Sequence, residues 1–289
     1  MSAFREGLVI GLEANRPTVA DPEGKTYRGW IQGRVRHQVG ELVVGDRVRY
    51  RLEGDEAVVA EVLPRQNRLV RPPLANVTGL FAVFSLHEPR GNRELLDKRL
   101  VMAHIHGLQA EVIINKVDLE PDPAPVDAVA AVYRQAGYRV WTVSALYPDS
   151  IAPWLASSRQ GIWVLTGESG VGKSALIRAA VPEATTLSQS LSRIGRGRQT
   201  TRTVRLWPIG SWWLADSPGY TQLQLRVRER RQILEGFPEF AQVRCRYPDC
   251  WHLSEPGCEV RAAVEAGHLD PVRYRSYCRL LEEWYVPWE

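Results

Sequence analysis

Residues 167–174 read Gly167, Glu168, Ser169, Gly170, Val171, Gly172, Lys173 and Ser174. They follow an apolar strand-like run, 161–166, and open a stretch with helical character, 173–180. Glycines at these places let backbone N–H groups curl around phosphate oxygens, and a helix starting here adds the positive end of its dipole. Lys173 is long enough to reach β and γ phosphates, and the Ser174 hydroxyl is placed to ligate Mg²⁺. All eight residues are therefore expected to contact a nucleoside triphosphate. Downstream, Asp216-Ser217-Pro218-Gly219 ends a second strand-like run, 212–215. There Asp216 is expected to hold Mg²⁺ through water, and the Gly219 N–H to meet the γ-phosphate.

A third pattern concerns the base. Asn115-Lys116-Val117-Asp118 ends the apolar run 111–115. The Asp118 carboxylate can accept from both N1–H and the exocyclic amine of guanine. Adenine offers neither in that arrangement, and a buried acceptor left unpaired is a strong ground for rejection. Ser144-Ala145 ends the run 139–143 and can present a backbone N–H to guanine O6. The expected ligand is GTP or GDP rather than ATP.

The order of these patterns is inverted. In Ras-like GTPases the phosphate loop comes first and the base-reading motifs last; here 115–118 and 144–145 precede 167–174. Each pattern still follows its own strand, so a circular permutation explains the order. The aspartate motif becomes the last nucleotide element. Whatever follows residue 219 then hangs on the segment that senses the γ-phosphate.

A metal set lies in that last part. Cys245, Cys250, His252 and Cys258 fall within residues 245–258 and match the Cys₃His donors of a closed structural Zn²⁺ site. Clustering in one stretch with a histidine argues against a disulfide framework. Cys278 has no partner at usable spacing and is expected to be a buried free thiol.

Elements must position these residues. Residues 7–12, 17–20, 26–32, 46–52 and 57–63 read as five short strands separated by turn signals. A small closed barrel of the OB type is expected, with an SH3-like barrel or a β-meander as the other possibilities. Pro72-Pro73 reads as a linker. From Val77 the chain alternates: strands at 80–85, 111–115, 139–143 and 161–166, helices at 94–107, 126–136 and 173–180. Such alternation predicts a mostly parallel sheet covered by helices, with ligands at the carboxyl ends of the strands. Helices are expected at 260–267 and 271–284. Exposed Arg261, Arg273, Arg275, Arg279, Tyr274 and Tyr277 there suit RNA contact; packing against the nucleotide domain is the alternative. The expected boundaries are 1–70 for the barrel, 71–236 for the nucleotide domain and 237–289 for the zinc-binding domain.

Composition narrows the class. The 289 residues are 44% hydrophobic and 24% charged, too apolar for a disordered chain. No apolar run reaches the ~18–20 residues of a membrane helix, and the N-terminus lacks a secretory pattern, so the expectation is a cytoplasmic protein without a membrane or DNA partner. A monomer is the default. The net charge of +4 is unevenly spread: cutting after residues 73, 160 and 240 gives pieces of +2, −1, +5 and −2. Residues 184–215 contain no Asp or Glu but hold Arg193, Arg196, Arg198, Arg202 and Arg205. A block that basic points to a polyanion. Its place between the phosphate loop and Asp216 makes it a switch loop whose arginines face nucleotide phosphates or RNA.

Barrel, permuted GTPase and Cys₃His lobe together resemble the ribosome small-subunit-dependent GTPase A family of bacteria, from about residue 7 to 280. Beyond the motifs above, Arg71-Pro72, Ala75-Asn76-Val77, Gly197-Arg198-Gln199-Thr200-Thr201, Glu255-Pro256, Arg273-Tyr274 and Tyr277 carry the likeness. The resemblance implies a multidomain protein: an N-terminal OB-fold barrel, a central circularly permuted Ras-like α/β P-loop GTPase, and a C-terminal helical zinc-binding domain. It implies a GTP hydrolase that binds the 30S subunit late in assembly, touches 16S rRNA through the barrel, is stimulated there, and leaves after hydrolysis. Cofactors would be GTP/GDP, Mg²⁺ and one structural Zn²⁺.

Two places depart from the family pattern. Ser217 stands where Thr is usual, and Gln199 where the family has a histidine favoured for placing the attacking water. Gln199 can orient water but cannot serve as general base. The catalytic set is therefore expected to be Gln199, Lys173, Thr200 and Thr201, with one of the threonines (Thr200 in the assigned set) joining Ser174 and Asp216 on Mg²⁺. A nucleotide-gated rRNA-binding adaptor with negligible hydrolysis is the competing reading.

Overall fold

The structure is a computed structural model and describes residues 3–33, 41–70, 72–184, 204–216, 227 and 229–284. Five strands open the chain: β1 (Arg5–Glu13), β2 (Arg16–Ala20), β3 (Thr26–Ile31), β4 (Arg47–Glu53) and β5 (Glu56–Val62). Two short strands follow, β6 (Arg68–Val70) and β7 (Pro73–Ala75). The chain then alternates through β8 (Val77–Ser85), α1 (Arg93–Ile105), β9 (Gln109–Asn115), α2 (Ala124–Gln135), β10 (Arg139–Val143), α3 (Pro148–Ala156), β11 (Gly161–Gly167) and α4 (Lys173–Ala180). Strands β12 (Arg205–Ile209) and β13 (Trp212–Asp216) precede the helices α5 (Arg231–Glu235), α6 (Glu259–Glu265) and α7 (Pro271–Trp284). Two compact units interleave along this path: Met1–Thr78, Leu155–Leu165 and Ile177–Gln222 form one, and Gly79–Trp154, Thr166–Leu176 and Leu223–Glu289 the other.

In the first unit the opening strands close on themselves. Strand β1 pairs with β2 and β4, β2 with β3, β3 with β5 in parallel, and β5 with β4. This ring is the five-stranded OB arrangement. Period-two patterning builds it: in β4, Val48 and Tyr50 are buried and join Val9, Val19 and Val59 inside. Arg47 and Arg49 point outward. Gly29 is required where β3 meets β5, because a Cβ there would lie 1.7 Å from the Ala57 carbonyl oxygen. Buried Asp46 accepts from Arg65 at 2.6 and 2.8 Å and from the Val43 N–H at 2.9 Å. The Pro72-Pro73 segment is not a simple linker: β6 and β7 pair antiparallel across it. Asn76, at φ +55°, donates to the Gly45 carbonyl at 2.8 Å and accepts from the Gln66 N–H at 2.8 Å.

The same unit carries β11, parallel to β13, with β12 antiparallel to β13. Strand β12 is not among the expected strands; of the acid-free block only 212–215 reads as strand-like. The acid-free block ends in a strand, with Arg205 paired across from Asp216.

In the second unit β8, β9 and β10 are parallel, and the register aligns Ser85, Asn115 and Val143. Nearly all of β8 and β9 is buried, as expected for parallel strands covered on both faces. Helix α3, absent from the sequence reading, packs Trp154 edge-on against Phe81 at 5.2 Å. Its Pro148 and Pro153 disguise it. Helices α5–α7 gather around Phe237, Phe240, Val260 and Tyr277, and Val101 of α1 joins that cluster. Among the described residues no helix is long and apolar enough to cross a membrane.

The α1–α7 contact corrects the expected exposure of Arg273 and Tyr277, whereas Arg275 and Arg279 are exposed as expected. Arg273 is 2% exposed and Tyr277 fully buried. The Arg273 guanidinium donates to Asp97 of α1 at 2.7 Å and to Glu239 at 2.5 and 3.0 Å. Burial works against its charge, but the two carboxylates outweigh that and hold its pKa above the usual arginine value. Arg93 pairs with Asp270 at 2.9 Å, and Arg279 with Glu94.

Candidate nucleotide site and metal centre

The base-reading motif sits where β9 ends. Asn115 is 2% exposed. Its amide donates to the Val171 carbonyl at 2.9 Å, and its oxygen accepts the Ala145 N–H at 3.2 Å. One side chain thus ties the phosphate loop to the Ser144-Ala145 turn. Gly172, at φ +96°, makes room: a Cβ there would lie 2.2 Å from the Asn115 amide nitrogen. Lys116 adopts a left-handed conformation at φ +65°, and its ammonium donates to the Glu88 carbonyl at 2.5 Å. Asp118 follows, half-buried, in a 3₁₀ turn at Val117–Leu119. The Ser144 turn is pinned by Ser150, whose hydroxyl accepts the Ser144 N–H at 2.9 Å.

The phosphate loop runs from β11 into α4. Gly170 and Gly172 both have positive φ. The Lys173 ammonium lies inside the loop, donating to the Gly167 and Glu168 carbonyls at 2.8 and 2.6 Å. Burial and the nearby Arg99 charge lower its pKa, against an opposing pull from Glu168. A carboxylate in an anion-binding loop is unexpected on charge grounds. The Glu168 carboxylate instead accepts the Asn92 N–H at 2.7 Å, next to the N-terminus of α1, where the helix dipole favours it. Asn92 in turn caps α1, accepting the Glu94 N–H at 2.8 Å. Ser169 precedes Gly170 as an exposed turn residue, and Ser174 lies in the first turn of α4.

Asp216 ends β13 in the other unit. Burial raises its carboxyl above the ordinary range, and Arg178 opposes the rise. Arg205 is engaged by an aromatic ring, its guanidinium 4.9 Å from the Trp207 centroid. Gln199, Thr200, Thr201 and Gly219 lie outside the described residues, as do Arg193, Arg196, Arg198 and Arg202.

Cys245, Cys250, His252 and Cys258 bring one ligand atom each within 4.8 Å of one another. Cys245 Sγ is 3.4 Å from His252 Nδ1 and 3.9 Å from Cys258 Sγ, and Cys258 Sγ is 3.5 Å from that Nδ1. Bonds of about 2.0–2.3 Å to a tetrahedral ion require ligand atoms separated by roughly 3.3–3.8 Å. The donor set therefore fits a zinc ion. Burial, with the neighbouring thiols adding to it, pushes the Cys250 thiol up to about 12; a bound divalent cation reverses such a shift. The ligand loop is anchored independently of any ion. Glu255 accepts the Trp251, Leu253 and Ser254 N–H groups at 2.8, 2.9 and 3.1 Å. Tyr274 and Tyr277 donate to the His252 and Trp251 carbonyls at 2.6 and 2.7 Å. Cys278 stands apart from the cluster, half-buried and unbridged.

Sequence reasoning missed Glu88, Asn92 and Ser150, which steady the site through the Glu88 carbonyl, the Asn92 backbone and the Ser150 hydroxyl. None belongs to a spaced pattern. Only Asn92, an N-cap residue two places before Glu94, left a readable signal.

Comparison with known proteins supplies the remaining context. Residues 62–226 match the model of the family described as RsgA GTPase. The small ribosomal subunit biogenesis GTPase RsgA of Bacillus cereus is 40% identical over 288 residues, covering 96% of this chain and 97% of that protein. Its namesake from Caldanaerobacter subterraneus subsp. tengcongensis is 38% identical, covering 89% and 90%. Among solved structures, YjeQ from Thermotoga maritima is 31% identical with a TM-score of 0.78, covering 98% of this chain and 99% of that one. YloQ, described as a circularly permuted GTPase, is 32% identical with a TM-score of 0.80, covering 98% and 95%. With its OB barrel, permuted order of nucleotide motifs and Cys₃His lobe, the chain belongs to the RsgA GTPase family of GTP-hydrolysing enzymes.

Proposed function

We propose that this chain hydrolyses GTP while bound to the 30S ribosomal subunit, acting late in its assembly and leaving once GDP is formed. The names of the relatives support the small-subunit role. One observation carries the nucleotide chemistry: the Asn115 side chain joins the phosphate loop and the Ser144-Ala145 turn. Asp118 reads guanine, and the backbone at Ser144-Ala145 meets O6. Residues 167–174 hold the phosphates, with Lys173 on the β and γ oxygens. Ser174, Asp216 and Thr200 would hold Mg²⁺, which neutralises developing phosphate charge. Gln199 orients the attacking water, and Thr200 or Thr201 closes on the γ-phosphate with Gly219.

Cys245, Cys250, His252 and Cys258 hold one structural zinc. Domain limits of 1–70, 71–236 and 237–289, contact with 16S rRNA through the barrel, a monomeric state and a cytoplasmic location complete the proposal. GTP turnover measured against added 30S subunits tests it: stimulation supports the reading, and an unchanged rate overturns it in favour of a nucleotide-gated adaptor. Weaker competition by GTP than by ATP would remove the base assignment.

A further inference from the structure

An open cleft of about 440 Å³ adjoins the metal cluster: Cys245, Cys250 and His252 line one part of it, and the rest is outside the nucleotide and zinc chemistry. Its volume falls in the range of about 300–1,000 Å³ seen for small-molecule-sized pockets. Leu234, Phe240 and Val243 contribute apolar lining, and Arg231, Arg244 and Tyr247 line it too. Tyr247 is 39% exposed at the edge of this lining. The guanidinium of Arg246 lies 5.6 Å from its centroid. Arg231 reaches Glu235 at 3.5 Å, but among the described residues no ion pair engages Arg244 or Arg246.

An apolar hollow, an exposed aromatic ring and two arginines form a combination that accepts a base by stacking while the charges meet its phosphates; Arg244 has no ion pair among the described residues, and Arg231 shares only a solvent-exposed pair with Glu235, which also lines the cleft. An apolar protein segment would match the lining but leave the arginines unanswered. We infer that this cleft takes one unpaired base of single-stranded RNA, stacked on Tyr247, with the flanking phosphates on Arg231 and Arg244. The inference rests on the small-subunit reading above and gives the C-terminal lobe a direct role in it. The lobe's RNA contact then lies at this cleft rather than at the buried Arg273 and Tyr277.

The test uses the full-length zinc-loaded protein and an eight-residue adenosine RNA with 2-aminopurine at its fourth place. Binding should quench the probe. An abasic residue at that place, or Tyr247→Ala, should weaken binding roughly tenfold or more, while Tyr247→Phe retains it. Arg244→Ala should weaken intact and abasic strands alike and flatten the salt dependence. Zinc content and GDP affinity should not change in any variant. Equal affinity of Tyr247→Ala and wild type, or of abasic and intact strands, overturns the inference. So does loss of 30S binding by Tyr247→Ala with RNA binding intact, which would assign the cleft to a protein partner. If the wild type binds neither RNA nor 30S subunits, the small-subunit reading itself falls.

Discussion

At the scale of single residues, guanine selection and water placement rest on different grounds. Asp118 sits half-buried just beyond Asn115, and in its proposed role its carboxylate would accept two guanine donors. Asp118→Asn replaces one acceptor by a donor. GTP affinity should then fall at least tenfold, and xanthosine triphosphate, with a carbonyl in place of the exocyclic amine, should compete better than GTP in a displacement titration. Gln199→Ala should lower 30S-stimulated turnover while leaving GTP affinity alone; unchanged turnover would show that backbone or rRNA places the water. Asp216 yields a pH prediction. Burial raises its folded-state pKa, so protonation begins at a higher pH than for an exposed aspartate. In its proposed role Asp216 would hold Mg²⁺ as the carboxylate. The Mg²⁺-dependent part of GTP affinity should therefore fall as pH drops through that raised value, and Asp216→Asn should abolish this pH dependence in the same titration.

At the scale of elements, α1 serves two neighbours. At its N-terminus the Asn92 N–H donates to Glu168 of the phosphate loop, and its body is tied to α7 by Asp97 and Glu94 and to Asp270, just before α7, by Arg93. The Asp97–Arg273–Glu239 cluster is the most deeply buried of these contacts. Removing one partner of a buried ion pair typically costs about 3–5 kcal/mol, because the charges left behind have neither water nor a counter-ion. Arg273→Met should lower the unfolding free energy by that order in urea denaturation. The surface change Arg279→Met should cost under about 1 kcal/mol.

At the scale of the whole molecule, the proposed zinc site predicts that the C-terminal lobe draws part of its stability from the metal donors. Four buried or half-buried donor residues lie within 4.8 Å of one another, and a bound cation would relieve the crowding of their thiols. Chelation should release one zinc per chain and lower the thermal midpoint, and Cys258→Ser should reproduce the shift without chelator. No change in midpoint on zinc release would show that the aromatic cluster of Phe237, Phe240 and Tyr277 holds the lobe unaided.

The local patterns were legible because each is dictated by short-range chemistry. Glycine spacing around phosphate, a carboxylate for guanine and four metal donors in one stretch need no knowledge of the fold. The five barrel strands were equally readable from period-two patterning, and the inverted motif order from sequence position alone. What the chain does not print locally is pairing over distance. Arg273 lies 176 residues from Asp97; as letters it is one more exposed cation, and only packing makes it a buried clamp. Barrel closure through β1–β4 and β3–β5 separates an OB ring from a meander, and it depends on Gly29 admitting the Ala57 carbonyl. Strand β12 and helix α3 were hidden by arginines and prolines that local propensity assigns to loops. The residue types and their spacing determined which chemistry is possible; the tertiary structure decided which charges are buried and spent, and which, as at Arg244, still face outward.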